Sequence, residues 1–457
     1  MYPSDVARDN LANQNLDDIL LERLSQYQDS PLFEKTNFTT SAEGHLLVNG
    51  QVPYNFGERT NFWNSIEESH KPNLMPLKVL KSTLSNIAIK NFQNSDKEIE
   101  MIQQAITKTV LILKEDETLL KRLSILYEQK QDLFLESIFK SVIATKIAIN
   151  ASVDTPLEQI FTTSLFSNVG ELIIPEMVYP KEKRSFRPSQ IKLLKEHPIV
   201  SCLLFNRNLF PEHIFYSIAT HHINLNGTGY PNTLLHFPTT LESQIINISS
   251  TFVESRMRDC KDSTSILKLL DFFSRHENAL GDTVMPLYNR DFLAPLQKMS
   301  SSLDMSTENI PPKIKDRKIL LQTLGTVRYI GLEYIKKFSN KIDKETLRTT
   351  LTPEIEASID LMRESSQNIK SISKFLPYTK KSTIASLDDI RYNSLATDVE
   401  LICDEIARYS VELGRHLNFY VELSKVKKSK IAKYFNETIL PSVRSFPTRP
   451  LQKYLGE

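Results

Sequence analysis

The sequence predicts an all-α protein with a small β element near its N-terminus and a helical bundle at its C-terminus. Glycine is scarce, with 11 residues in 457, about a third of average usage, and long runs of Leu, Ile, Lys and Glu favour helices. Apolar residues recur at helical three-to-four spacing, as in Ile102, Ile106, Val110 and Leu113. We therefore expect helices that each bury one face.

The β element is expected in "GHLLVNGQVPYNF" (44–56), where Asn49-Gly50 separates two short apolar runs. Asn-Gly is the strongest two-residue hairpin signal because both residues tolerate positive φ. The sequence therefore predicts a hairpin in this segment. It would belong to a region of hairpin and helices over 36–130, after a polar lead-in over 1–35.

The C-terminal bundle is predicted over 301–457, after the polar Ser- and Pro-containing break "MSSSLDMSTENIPPK" (299–313). Thr352-Pro353 has the residue types of a helix N-cap and first helical position. The apolar residues define three amphipathic faces: Leu320, Leu324, Val327, Gly331, Tyr334 and Phe338; Ile355, Ile359, Met362, Ile369, Ile372 and Phe375; Val399, Ile402, Ile406, Leu413, Leu417 and Tyr420. Such helices form an intramolecular bundle or pair with a partner protein.

Composition excludes several classes of protein. Lys plus Arg number 56 against 55 Asp plus Glu, so the chain lacks the basic footprint of a nucleic-acid-binding protein. Cys202, Cys260 and Cys403 are scattered without zinc or redox spacing, which suits a reducing compartment. No stretch approaches the roughly 20 apolar residues of a membrane span, and the N-terminus has no apolar signal-peptide core. We expect a soluble cytoplasmic protein with no nucleic-acid partner.

Histidines mark the region from 131 to 300 as the functional part of the chain. His221 and His222 stand where an apolar, helix-like run ends, and His197 precedes a proline upstream. Neighbouring residues on a regular helix point about 100° apart. Two adjacent histidines therefore serve one site most easily where a helix gives way to a loop, as in "HHINLNGTGYP" (221–231).

The loop after the paired histidines has the residue types of a ligand-binding segment. Gly227 and Gly229 would let the backbone approach a ligand closely. Tyr230 supplies a ring and a hydroxyl, and Pro231 provides a rigid exit. Any one of these residues is common in a purely structural role, but the combined pattern with His-Pro and His-His indicates a site.

This pattern resembles the HD-GYP group of the HD superfamily, which consists of helical, metal-dependent phosphodiesterases that hydrolyse the bacterial messenger cyclic di-GMP. "HHINLNGTGYP" matches the group's HHExxxGxGYP motif, and Glu196-His197-Pro198 matches its Glu-His-Pro. The resemblance implies an HD-type helical domain over 131–300, with His197, His221 and His222 as metal ligands.

The chain departs from the group at most of the other ligand positions. The group's His-Asp-Ile-Gly-Lys falls on "SNVGE". Ser167 therefore stands in place of a ligand histidine, Asn168 in place of the bridging aspartate, and Glu171 in place of a phosphate-facing lysine. Because a bridging carboxylate offsets the repulsion between two close divalent ions, its loss implies the loss of a two-metal centre.

Three further departures follow from the same resemblance. Glu136-Ser137 stands where an early helix usually carries histidine and serine, Ile223 replaces the glutamate after the paired histidines, and Ser250 replaces a late aspartate. Glu136 could add a carboxylate to a metal site. Three histidines with an open position otherwise constitute a known arrangement for a single catalytic zinc ion.

These observations predict a catalytically inactive, HD-GYP-like regulator or scaffold. We expect no cofactor, or at most one Fe, Mn or Zn ion on the remaining histidines. Two alternatives stay open: a receptor that binds a cyclic dinucleotide through Gly227, Gly229, Tyr230 and Pro231, and a mononuclear metal-dependent phosphodiesterase. A signalling protein could bind through the C-terminal helices.

Overall fold

The computed structural model of this protein is predominantly helical, as the sequence predicts for an all-α HD-type fold. It describes residues 38–40, 46–48, 74–90, 95–173, 187–195, 197–204, 210–231, 239–257, 263–300, 314–346, 351–424 and 429–446. None of the helices in these ranges is both long and apolar enough to cross a lipid bilayer.

The two described strands, β1 (Phe38–Thr40) and β2 (Leu46–Val48), pair antiparallel with Phe38 opposite Val48. This ladder is not the hairpin predicted across Asn49-Gly50. That turn lies outside the described residues, so the predicted hairpin is not seen and stays a prediction.

Contacts divide the described residues into two units. The first contains the described residues between 38 and 173, between 193 and 274, and between 287 and 300. The second contains 187–192, 275–286 and the described residues from 314 to 446. The four-part division predicted from the sequence has more boundaries than these two units, and it stays a prediction.

The helices as far as residue 300 include those that carry the histidines. They are α1 (Leu77–Lys90), α2 (Asp96–Glu115), α3 (Glu117–Gln129), α4 (Gln131–Asn150), α5 (Leu157–Phe166), α6 (Pro188–Lys195), α7 (His197–Leu204), α8 (Glu212–Ala219), α9 (Leu241–Met257), α10 (Ser263–Phe273) and α11 (Leu293–Ser300), with short 3-10 turns at Val169–Ile173 and Arg290–Phe292.

Helix α4 forms the centre of the first unit and packs against α5 and α9. Buried residues surround most of its circumference, which is the pattern of a core helix rather than a surface helix. Its buried residues include the ionisable Glu136, Lys140 and Lys146. Charged side chains are seldom fully buried without partners, so α4 must present them to specific polar groups.

The helices of the second unit confirm most of the predicted apolar faces. They are α12 (Arg317–Tyr329), α13 (Ile335–Thr346), α14 (Pro353–Ser373), α15 (Lys381–Ala385), α16 (Asp389–Leu423), α17 (Lys430–Tyr434) and α18 (Leu440–Arg444), with π-helical turns at Ile330–Tyr334 and Phe435–Ile439. Helix α14 packs along α16, and the predicted residues of both faces are buried.

Local signals explain how these helices begin and where one face departs from regular spacing. Thr352 caps α14 by accepting a hydrogen bond from the amide of Ile355, with Pro353 at the first turn. The π turn inserts a residue into the helical period, so the buried face continues through Ile335 while Tyr334 is only half-buried.

Candidate metal and ligand site

Three histidines lie close together near the start of α7 and just after the end of α8. His197 opens α7, and His221 and His222 directly follow the end of α8. All three are buried, and one potential ligand atom from each lies within 4.8 Å of the others. The structure thus brings together the three histidines that the sequence proposed as metal ligands.

Backbone carbonyls fix the orientation of two of these rings. The Nδ1 atom of His197 lies 2.8 Å from the carbonyl oxygen of Leu194, and Nδ1 of His221 lies 2.6 Å from that of Ile218. A carbonyl oxygen only accepts hydrogen bonds, so in the neutral form of each ring the proton is on Nδ1. The lone pair of each ring is therefore on Nε2, the tautomer that metal-binding histidines adopt when a carbonyl orients them.

The two Nε2 atoms face each other across 3.4 Å. Two unprotonated nitrogens at this distance repel unless a cation or a proton lies between them. Two nitrogens that bind one tetrahedral zinc ion at 2.0–2.1 Å are roughly 3.3–3.4 Å apart. The separation therefore matches one edge of a tetrahedral metal site.

Burial and neighbouring charge keep the His221 ring neutral. Removal from water lowers the pKa of His221 well below its ordinary value, and the positive charge of Lys140 and the proximity of His197 lower it further. A neutral imidazole is the form that binds metal. The lowered pKa therefore favours the ligand form of the ring.

The loop after the histidines folds back onto them. Ile223 and Gly229 form an antiparallel bridge, and the amide of Tyr230 donates to the carbonyl of His222. The ring of Tyr230 then stacks on His222, with centroids 4.4 Å apart and planes inclined by 25°. The Lys195 ammonium lies 5.7 Å from the centroid of the same tyrosine.

Only one of the two loop glycines makes a close contact. A β-carbon at Gly229 would lie 2.0 Å from the carbonyl oxygen of His222, and its φ of +112° also favours glycine. A β-carbon at Gly227 would meet nothing within 4 Å. Gly229 thus lets the loop pack on His222, while Gly227 leaves open space. Their predicted contact with a ligand stays a proposal, as does that of the buried Pro231.

Asn168 connects two buried charged residues beside the histidines. Lys140 Nζ donates to Asn168 Oδ1 at 2.7 Å, and Asn168 Nδ2 donates to Glu136 Oε1 at 3.1 Å. Asn168 and Lys140 are fully buried, and Glu136 is 3% exposed. The carboxylate of Glu136 therefore binds the amide of Asn168, and it is not part of the three-histidine group. Its role as a metal ligand stays a prediction.

Gly170 allows the turn that carries Asn168 to approach α7. A β-carbon at Gly170 would lie 2.2 Å from the carbonyl oxygen of His197. The Gly170 amide donates to Ser201 Oγ at 2.8 Å, and that hydroxyl donates to the Ser167 carbonyl at 2.5 Å. The backbone contact is possible only without a side chain, so this glycine positions Asn168 near His197.

The other residues that replace family ligands are also buried. The Ser167 hydroxyl donates to the carbonyl of Ser164 in its own helix at 3.0 Å. Glu171 has a buried side chain, and its backbone carbonyl accepts a hydrogen bond from Lys130. Ile223 and Ser250 are buried in the loop and in α9.

Sequence reasoning missed two charged residues on helices α4 and α9 of this site. One is Lys140, and the other is Glu254, whose Oε1 lies 3.8 Å from His222 Nε2. Each lies four residues after a position that was singled out, Glu136 and Ser250 respectively. Residues four apart share one face of a helix, so this spacing could have identified both.

The donor set fits one divalent transition metal ion. Three buried imidazoles, two of them oriented by carbonyls, suit zinc, iron or manganese with at least one coordination position open. The Glu254 carboxylate lies close enough to contribute charge. A second ion would lack a bridging carboxylate, since position 168 offers only an amide.

Comparisons with known proteins agree with an HD-type domain. Residues 121–270 match the family described as HD domain. Over 94 residues the chain is 29% identical to the cyclic di-GMP phosphodiesterase PdeB of Borreliella burgdorferi. That match covers 21% of this chain and 24% of the relative's length. No solved structure matches the chain significantly.

The matched region contains every residue of the site described above, from Glu136 to Glu254. Together with the helical architecture, the match supports an HD-superfamily domain within residues 121–270, the range that contains His197, His221 and His222.

Proposed function

We propose that this protein is an HD-type signalling protein that binds one divalent transition metal ion and a cyclic dinucleotide without two-metal hydrolysis. The observation that carries the proposal is the 3.4 Å separation of the His197 and His221 Nε2 atoms. In the neutral rings both atoms carry a lone pair, because each Nδ1–H donates to a backbone carbonyl. Such a pair stabilises a cation between the two rings.

Different residues of the chain would bind the metal ion and the organic ligand. His197, His221 and His222 would hold the ion, and the ion would polarise a phosphate oxygen of the ligand. Tyr230 offers an aromatic surface for a base, and Lys195 lies beside it as a cation for a phosphate. Stacking on aromatic rings is a general mode of base recognition. The choice of a cyclic dinucleotide rests on the phosphodiesterase relative.

The proposed lack of hydrolysis rests on position 168. Two-metal phosphodiester cleavage clamps the attacking and leaving oxygens between ions roughly 3.5–4 Å apart. Asn168 has no negative charge, and its amide is already bonded to Lys140 and Glu136. The site would therefore bind the ligand without cleaving it. This behaviour is typical of a regulator, which here would act through a partner protein bound at the C-terminal helices.

The alternative is a mononuclear phosphodiesterase for cyclic di-GMP. Glu254 favours it, because its carboxylate lies 3.8 Å from His222 Nε2 and could accept a proton from an attacking water molecule. In this alternative the three histidines would serve catalysis as well as binding.

The test measures metal content, cyclic di-GMP binding and cyclic di-GMP turnover on one preparation of the protein. Protein purified without chelator should hold close to one metal ion per chain and bind cyclic di-GMP saturably, with no product formed. His221→Ala should lose the ion. His213→Ala is the matched control, because this histidine is 46% exposed in α8, outside the group. A metal-free wild type would refute the proposal, and metal-dependent turnover lost in Glu254→Gln would establish the alternative.

A further inference from the structure

The buried face of α4 presents opposite charges one helical turn apart. Glu136 is 3% exposed and Lys140 is fully buried. An isolated buried lysine ammonium is costly unless polar groups solvate it. Here both side chains bind the amide of Asn168.

An asparagine suits this place for a chemical reason. Its Oδ1 accepts from the Lys140 ammonium, and its Nδ2 donates to the Glu136 carboxylate, so each end of the amide meets the charge it can stabilise. An aspartate in the same place has no hydrogen to donate to Glu136, and the two carboxylates would repel. Lys140, Asn168 and Glu136 thus form one matched set, which we call the buried charge relay.

The buried charge relay lies beside the three histidines. Lys140 is close enough to His221 for its positive charge to lower the pKa of that ring. Asn168 belongs to the turn whose Gly170 packs against the carbonyl of His197. The ammonium is therefore a fixed positive charge next to the metal group, supplied by the chain itself.

We propose that the positive charge of the Lys140 ammonium substitutes for the charge of a second divalent ion. The site therefore accepts one ion and excludes another. This inference rests on the proposed one-ion function. Two like charges close together in a buried site repel strongly, and the neutral Asn168 does nothing to offset that repulsion. Removing the ammonium without adding a carboxylate would leave Glu136 as the only carboxylate of the set, which is too little negative charge to bind a second ion. Adding the carboxylate while Lys140 remains would create an ion pair instead.

The experiment is a two-by-two comparison at positions 140 and 168. Wild type, Lys140→Met, Asn168→Asp and the double variant are stripped with a chelator and dialysed against excess Mn²⁺. Metal analysis then gives the number of ions per chain. We expect one ion in the first three proteins and two in the double variant. Electron paramagnetic resonance should show a spin-coupled Mn²⁺ pair in the double variant alone.

Lys146→Met combined with Asn168→Asp is the matched control. Lys146 is 2% exposed on the same helix, but its opposite charge is Glu98. This control should hold one ion. Circular dichroism melts show which variants are folded, and Lys140→Gln/Asn168→Asp replaces the methionine variant should that one not fold.

The outcomes separate the two proposals. A second ion in Asn168→Asp alone, or a single ion in a folded double variant, would overturn the role of Lys140 while the one-ion function stands. A wild-type chain that binds no Mn²⁺ would overturn the one-ion function itself, and the inference with it.

Discussion

The His222 ring is stacked on the ring of Tyr230, with centroids 4.4 Å apart, while His222 also belongs to the three-histidine group. The same contact therefore links the proposed metal ligands to the loop proposed to hold the organic part of the ligand. Disturbing the tyrosine should affect binding of that ligand without removing any metal-binding atom.

Tyr230→Ala should weaken binding of cyclic di-GMP about 5- to 150-fold, because base–aromatic stacking contributes about 1–3 kcal/mol. Tyr230→Phe keeps the ring and should stay within about threefold of wild type, since it retains that stacking. Calorimetric titration of the metal-loaded protein measures both. Tyr378→Ala, at a tyrosine that is 84% exposed in the second unit, serves as control. Equal affinity in Tyr230→Ala would remove the ring from the ligand site.

Gly229→Ala should be far more harmful than Gly227→Ala. A β-carbon at Gly229 meets the His222 carbonyl at 2.0 Å, so the His222 backbone must move, whereas at Gly227 it meets nothing within 4 Å. We expect a loss of roughly 3 kcal/mol or more at Gly229, from overpacking and strain together. The cost at Gly227 should be about 1 kcal/mol, from its positive φ. Urea unfolding and Mn²⁺ dialysis test this ranking, and equal losses would contradict it.

Gly170→Ala should destabilise the first unit, because the added carbon would lie 2.2 Å from the His197 carbonyl and 2.6 Å from the Ser201 amide. Both contacts are with backbone atoms, so relaxation must move α7; we expect a loss of about 1–3 kcal/mol. Gly325→Ala in α12 is the control, with open space around it. It should stabilise its helix by about 0.5–1 kcal/mol. Thermal and urea unfolding measure both, and an unaffected Gly170→Ala would exclude the close approach.

Cys403 should make stability depend on pH above about 9. Burial raises the pKa of this thiol well above 9.0, and Asp404 and Glu400 raise it further. The unfolded thiol ionises first as pH rises, so the stabilisation is complete below its unfolded pKa and is lost above it, by at most about 1.4 kcal/mol per pH unit. Urea unfolding between pH 8 and 10 should show a shallower decline in Cys403→Ala. Parallel declines would argue against a protonated buried thiol.

The helices could be predicted from the sequence where the pattern that defines them lies within a few neighbouring residues. The apolar spacing through Ile355 and Ile402 and the Thr352-Pro353 start follow from the helical period and from capping chemistry, both of which act within a few residues. The π turn at Ile330–Tyr334 was not predictable in the same way, because it depends on packing. A β-carbon at Gly331 would lie 2.0 Å from Ser373 Oγ, a contact between distant parts of the chain.

The site was predictable as a set of histidines but not as an arrangement of charge. His197, His221 and His222 belong to a recognisable motif, and the structure brings them together. The four-residue spacing places Lys140 on the same helix face as Glu136, but the burial of its ammonium is a tertiary property that the sequence does not show. Its importance depends on Asn168, 28 residues later, and on the orientation of one amide group.

The carbonyl oxygens of Leu194 and Ile218 orient the His197 and His221 rings from within the polypeptide. Small zinc-dependent domains collapse when a chelator removes their ion, because the ion itself organises the ligands. Here hydrogen bonds within the chain itself hold these two rings. Depletion and refilling should therefore be reversible in the folded state, which would let the protein respond to changing metal supply without being refolded each time.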